Sequence, residues 1–265
     1  MTIWDRQRLA FRDLRDGQRL WRLAGSLAWL DIRLRYRGSM LGPFWLTIST
    51  GVMVASLGFL YSALFKISLR EYLPFLTLSQ VLWSFLATQV SESCTAFTES
   101  ESVIRSVRMP FFMFAIRILM RNVLVLAHNI CVIVVVFLVF RIWPGSGALM
   151  ALLALPIWIV NALALSLLLG GVCARFRDIM PIVNSVMQIA FFMTPVIWKP
   201  EQLGPGAVWL PLNPFFDLLE IVRGPLLGEV PSLSVWAGAL GYTFALCGLS
   251  WFFFLRARGR IAFWM

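Results

Sequence analysis

The chain has 265 residues, of which 60% are hydrophobic and only 14% charged, against the roughly one-quarter charged share of an ordinary soluble domain. That composition excludes a water-soluble globule and is that of a membrane-embedded polypeptide. The formal net charge of +10 comes from 23 basic and 13 acidic side chains, and its meaning depends on where the arginines lie.

Residues 1–40 precede any long apolar run, so no cleavable signal peptide is expected. Within them Leu20, Leu23, Leu27, Leu30 and Leu34 recur at spacings of three and four, with Arg22, Ser26 and Arg33 on a different face. This predicts an amphipathic helix lying along the inner membrane surface, with Trp21 and Trp29 at headgroup level.

Apolar runs near 20 residues then predict six membrane spans, at about 41–65, 73–90, 122–140, 148–172, 182–198 and 233–255, the second being the most polar. The proline-rich stretch from Lys199 to Pro231 is not a further span. Asn213-Pro214 reads as an N-cap with proline at the first helical position, and Arg223-Gly224-Pro225 as a stop. A helix over 214–223 is too short to cross the bilayer, and its polar residues Asp217, Glu220 and Arg223 fall three apart. A re-entrant hairpin dipping into the outer leaflet is expected. The expected fold is therefore an all-α membrane protein: a cytoplasmic interface-helix region at 1–40, then a six-helix transmembrane domain at 41–265 carrying the re-entrant hairpin between spans five and six.

Alternating the loops of that scheme puts 18 basic residues on one side and five on the other, Lys66, Arg70, Arg141, Lys199 and Arg223. Cytoplasmic segments hold the excess of Lys and Arg, so both termini are expected in the cytoplasm. The positive charge is a topology signal and an attraction to anionic lipid, not a sign of nucleic-acid binding.

Metal or nucleophilic chemistry finds little support. The spans hold no Asp or Glu, Cys94, Cys131, Cys173 and Cys247 are scattered, and His128 is the only histidine. No GxxxxGK(S/T) phosphate loop exists, because Lys66 is followed by Ile67 and Lys199 by Pro200. If ATP drives this protein, the ATPase sits on another chain. His128, Asn129, Asn161, Asn184, Gln188, Tyr242 and Thr243 within the spans read as interhelical hydrogen-bonding groups or as the lining of a pathway. Phe59, Trp83, Phe85, Phe191, Phe192 and Trp198 have two readings, ordinary membrane aromatics or platforms for the C–H faces of sugars, and periodicity does not separate them. Small residues Gly51, Ala55, Gly58, Gly170 and Gly171 allow close helix contact.

The stretch DIRLRYRGSMLGPFW at 31–45 closely resembles the approach to the first span in type 2 ABC transporter permeases that export O-antigen, capsule or teichoic acid. ARFRDI at 174–179, TPVIW at 194–198 and LNPFFDLLEIVRGPLLG at 212–228 agree with it, so the resemblance covers almost the whole chain.

The resemblance implies a half-transporter of the bacterial inner membrane. Two copies form the pore, and two copies of a separate ABC ATPase, which uses ATP and Mg, dock on the cytoplasmic face. This chain itself binds no cofactor. The implied substrate is a polyprenyl diphosphate-linked polysaccharide, O-antigen being preferred. The ATPase contacts then fall on Glu99, Glu101, Val103, Ile104, Arg105 and Arg108, and on Arg175, Phe176, Arg177 and Asp178. Arg33, Arg35 and Arg37 become candidate diphosphate ligands beside their reading as topology anchors. Pro214, Phe215, Phe216, Asp217, Glu220 and Arg223 become an external gate. No residue is expected to be catalytic. The competing readings are a permease of the same superfamily for another lipid, a drug or teichoic acid, and a non-transport membrane component of glycan assembly.

Overall fold

The computed structural model describes residues 3–42 and 44–264; Pro43, inside the 31–45 motif, lies outside the described residues, as do Met1, Thr2 and Met265. Every regular element among the described residues is helical: α1 (Ile3–Arg19), α2 (Trp21–Arg35), α3 (Phe44–Phe65), α4 (Leu69–Ser93), α5 (Glu101–Ser106), α6 (Phe111–Phe140), α7 (Met150–Arg175), α8 (Ile179–Met193), α9 (Pro214–Leu227) and α10 (Leu233–Trp264). Tighter 3₁₀ segments occupy Thr98–Ser100, Ser146–Leu149 and Pro200–Leu212.

Five helices are long and apolar enough to cross a membrane: α3, α4, α6, α7 with the 3₁₀ turn before it, and α10. The region of the fifth expected span holds α8, which has 15 residues and so rises about 22 Å. It stops because Thr194 precedes Pro195 and adopts the extended conformation that a following proline imposes.

Several helices overrun the apolar windows from which spans were expected. α6 starts at Phe111, not near 122, and α10 runs on to Trp264 rather than ending near 255. In α6 the apparent interruption is Arg117 and Arg121, whose charges are paired within the protein. The stop expected after 223 also fails. α9 continues through Gly224 and Pro225 and ends at Gly228, whose left-handed φ of 86° suits glycine, while the Glu229 N–H closes the cap on the Gly224 carbonyl at 2.9 Å.

The leading segment forms two helices, α1 and α2, and the leucine stripe faces the protein only in part, Leu20 and Leu27 being half-buried against the same core as Ala24. α2 buries Ala24, Ala28 and Ile32 against α6, leaving Leu23, Leu30 and Leu34 exposed. The approach is close here: a Cβ on Gly25 would lie 3.1 Å from the Met120 sulfur.

α4 is the central element, packed by α3, α6, α7, α8 and α9 and buried over most of its length. This explains why its sequence is the most polar of the candidate spans. Thr77, Ser79, Ser84 and Ser93 donate to the carbonyls four residues back at 2.6–2.7 Å, so their hydroxyls are satisfied inside the helix. α3 by contrast buries only Val54 and Gly58, and the glycine is required because a Cβ there would meet Leu73 Cδ1 at 2.1 Å. Gly171 serves the same purpose between α7 and α10, with Phe253 2.5 Å from its would-be Cβ. Gly51 faces open space.

The bundle has two distinct ends. One, the basic end, gathers α1, α2, α5, the α7–α8 turn and the last turns of α10 around a core that includes Ala10, Phe97, Ile104, Phe111, Ala174 and Phe254. The opposite end gathers the α3–α4 turn, the Pro200–Leu212 segment and α9.

Candidate functional site

At the basic end, pairs of residues four apart on two helices face each other. Asp31 and Arg35 project from α2, and Arg117 and Arg121 from α6. Arg117 grips Asp31 through two bonds, Nε to Oδ2 at 2.8 Å and Nη2 to Oδ1 at 2.6 Å, the forked geometry that guanidinium and carboxylate favour. Arg121, 4% exposed, donates to Glu92 at 2.9 Å and Glu99 at 3.3 Å. Arg35 completes the set on Glu92 at 3.0 Å. Three guanidiniums thus balance three carboxylates, which is the condition for holding charge at low exposure. The network ties α2, the end of α4, the 3₁₀ turn at Thr98–Ser100 and α6 together. Reading the sequence as topology counts Arg117 and Arg121 only as loop charges. The signal that would reveal them is the i,i+4 spacing repeated in both pairs.

A second anchor holds α1. Asp13, 2% exposed, accepts from the Phe112 N–H at 3.1 Å and from Arg258 Nε at 2.9 Å. Burial raises its pKa, and those two donors pull it back only in part. Beside it, a Cβ on Gly17 would lie 2.8 Å from Phe112 Cβ, so α1 and the start of α6 touch almost backbone to backbone.

The expected ATPase-contacting residues lie at this end in two groups. In the first, Glu99 belongs to the network, Ile104 is buried in the core, Glu101 pairs with Arg105 at 2.8 Å, Val103 is half-buried and Arg108 is exposed. In the second, Arg175, Phe176, Arg177 and Asp178 are all exposed, and the Arg175 guanidinium lies 5.1 Å from the ring centre of Trp264. Of the three candidate diphosphate ligands, Arg35 is engaged with Glu92, whereas the Arg33 and Arg37 side chains are exposed and make no ion pair among the described residues.

At the opposite end, α9 is held by its cap and by Arg223. The Asn213 side chain accepts from the N–H groups of Phe215 and Phe216 at 3.0 and 3.4 Å, and its own amide donates to Thr194 at 3.0 Å. Arg223, 1% exposed, donates to Ser79 Oγ at 2.8 Å and the Pro195 carbonyl at 2.6 Å, pairs with Glu220, and lies 4.5 Å from the Phe75 ring centre. The TPVIW and LNPFFDLLEIVRG stretches therefore meet in space. Pro214, Phe215, Phe216, Asp217, Glu220 and Arg223 sit together on this helix. Asp217 is buried against Gly238 of α10, where a Cβ would come within 2.0 Å of its Oδ2. Outside α9 a chamber of about 480 Å³ opens, lined by Arg70, Glu71, Lys199, Glu201 and Glu229 among others. Burial raises the Glu229 pKa, reinforced by Glu220 and Glu201 and opposed by Arg223 and Lys199.

The six aromatic candidates do not form one line. Trp83 packs on Phe191 and Phe215 at centroid separations of 5.8 and 5.6 Å, and Phe85 stacks on Trp158 at 5.1 Å. Trp198 donates to the Phe192 carbonyl at 3.1 Å, while the Phe59 and Phe192 rings face outward. Among the polar groups of the spans, Asn161 donates to Thr243 at 2.7 Å and Thr50 to Asn129 at 3.3 Å, both between helices. Gln89, missed in the sequence, joins three helices through Asn122 at 3.0 Å and Ser166 at 3.1 Å. α8 differs: it buries only Met187, and Ser185 and Gln188 lie exposed on it with Asn184 half-buried.

Comparison with known proteins agrees with this architecture. The family model described as ABC-2 type transporter matches residues 22–227. The O-antigen export system permease protein RfbA of Myxococcus xanthus is 23% identical over 201 residues, covering 73% of this chain and 76% of that protein. A protein of the same name from Klebsiella pneumoniae is 21% identical over 235 residues, covering 86% of this chain and 90% of that one.

Proposed function

Because the chain belongs to the ABC-2 type transporter family, we infer that it is the permease subunit of an ABC exporter, and that its cargo is O-antigen carried on a polyprenyl diphosphate. The match across 22–227, with relatives named as O-antigen export permeases, carries this reading. The ATPase is a separate subunit, which supplies the ATP and Mg chemistry; the chain acts as a homodimer with two such ATPases in the inner membrane.

In this reading the basic end faces the cytoplasm, in keeping with the excess of arginine there. The exposed leucines of α2 rest on the inner leaflet, which makes α2 the interface helix. α8 and the turn after it complete a sixth crossing, and α9 is the re-entrant external gate. Two features support an aqueous path between protomers alongside α8. Its outward face carries Gln188, whose amide lipid would leave unsatisfied, whereas the neighbouring Ser185 hydroxyl donates to the Pro181 carbonyl at 3.0 Å. Phe192 and Trp198 at its far end offer stacking surfaces for sugar rings. Arg33 and Arg37, free of protein carboxylates, receive the diphosphate at the inner headgroup level. ATP binding closes the ATPases and displaces α5 and the 175–178 turn, tilting the helices behind them. That displacement does work only in so far as the two pore states differ in affinity for the ATP-bound partner.

Deletion of the coding frame followed by analysis of lipid-linked glycans tests the function. Polymer accumulating inside the cell with loss of surface polymer is expected. Failure to synthesise the polymer would instead make the chain part of the assembly machinery.

A further inference from the structure

We infer that the basic end of α10 is a strut that makes the two ATPase-contacting elements, α5 and the 175–178 turn, move as one body, with Arg258 and Trp264 as its positioning residues. The inference rests on the exporter reading above.

Phe254, Ala257, Arg258, Ile261 and Trp264 recur at helical spacing, forming one stripe on the final turns of α10. Phe254, Ala257 and Ile261 are at most 3% exposed, in the same core as Ile104 of the first element, Phe97 just ahead of it and Ala174 beside the second. An apolar wedge therefore sits between the two elements. Its polar members fix it on either side. Arg258 binds Asp13 at 2.9 Å, and Asp13 in turn accepts from the Phe112 N–H, just beyond the Arg108–Pro110 turn that follows α5. Trp264 lies under the Arg175 guanidinium at 5.1 Å, and a cation over an indole face is the strongest of the side-chain cation–π pairings. Upstream, Phe253 fills the space left by Gly171, so α10 is in van der Waals register with α7 one turn before the 175–178 turn begins. Packed cores transmit displacement because they do not deform continuously. A push received by α5 thus reaches Arg175 through α10, and the reverse.

The test uses the full complex with its ATPase in proteoliposomes, measuring glycan exported per ATP hydrolysed, basal ATPase rate and the amount of assembled complex. In Trp264→Leu, assembly and basal ATPase should stay at wild-type level while export per ATP falls about fivefold or more. Arg258→Gln strands the buried Asp13 carboxylate and should yield less complex. Per assembled complex, its basal ATPase should stay at wild-type level and its export per ATP should fall likewise. Arg258→Lys should recover part of the ratio. The double variant should lose no more than the worse single one, because both changes break one body. If both variants keep the wild-type ratio, or lose ATPase per assembled complex in parallel with export, α10 only packs and the strut is refuted. If the wild-type complex exports no glycan, the functional reading falls, and the strut falls with it.

Discussion

Arg223 of α9 donates to the Pro195 carbonyl at 2.6 Å, pinning the short helix to the unwound chain just after α8. α8 ends here with the Thr194 N–H still on the Ala190 carbonyl at 2.9 Å and the Thr194 carbonyl taken by the Val196 N–H at 2.7 Å, which leaves the Pro195 carbonyl in need of a partner. The arginine supplies it, and the Asn213 amide, donating to the Thr194 hydroxyl at 3.0 Å, anchors the same junction through a side chain.

Replacing Arg223 by Gln would strand Glu220 and the Pro195 carbonyl in a buried site. A loss of about 3–5 kcal/mol is expected, the cost of removing one partner from a buried pair. Thermal unfolding of the purified protein in detergent would measure it, and Arg223→Lys should recover only a part because an ammonium lacks the fork.

The network at the basic end responds in the same way. Arg121→Gln removes the cation shared by Glu92 and Glu99, but Glu92 keeps Arg35 and Glu99 is half exposed, so a smaller loss of about 1.5–3 kcal/mol is expected. Asp31→Asn combined with Arg117→Gln should cost less than the sum of the two single changes, since each already breaks the same bond; a double-mutant cycle on unfolding free energies checks this.

Two glycines of α10 make opposite predictions. At Gly238 an added Cβ would lie 2.0 Å from Asp217 Oδ2, whereas at Gly241 it would meet nothing within 4 Å. Gly238→Ala should destabilise by about 1–3 kcal/mol through overpacking. Gly241→Ala should be neutral or stabilise by up to about 1 kcal/mol through helix propensity. Melting temperatures of the two variants, compared under one detergent condition, decide it.

Long apolar runs and the arginine asymmetry are legible in the sequence because each is a local property of the chain. The Asp31–Arg117 pair is not, because its partners are 86 residues apart and each reads alone as a surface charge. The leucines of α2 are legible only in part for a related reason. Periodicity reveals that a helix has an apolar stripe but not whether lipid or protein lies against it, and here the alanine face takes the protein side. Proline and glycine at 224–225 look like a stop, but the glycine that takes the left-handed conformation and closes α9 is Gly228, whose cap bonds run to the Gly224 and Pro225 carbonyls.

Gln188→Leu on α8 removes an exposed amide that has no partner among the described residues. Stability should change by no more than about 0.5 kcal/mol, as for a surface site away from special features. Export through the complex should fall, because the substitution makes the proposed aqueous wall apolar; transport assays beside melting curves separate the two effects.

The Glu229 carboxyl carries a pH signature. Its pKa is raised above the ordinary 4.5 by burial, then by Glu220 and Glu201. The folded state then holds this proton more tightly than the unfolded chain, so stability is fully present below the unfolded pKa and declines as pH rises through the folded one. Glu229→Gln should accordingly raise the melting temperature at pH 7 and lose that advantage near pH 4, which a pH series of unfolding curves reads directly.

The hydroxyl-rich interior of α4 has a consequence for biogenesis. A helix whose side chains satisfy themselves against their own backbone remains the least apolar of the five candidate crossings, and on its own it gains little from leaving the translocation channel for lipid. α3, packed against it through Gly58 and Leu73, is the neighbour synthesised just before. The two segments should therefore be released into the bilayer as a pair, to which α6 later adds the cover for the remaining polar side of α4.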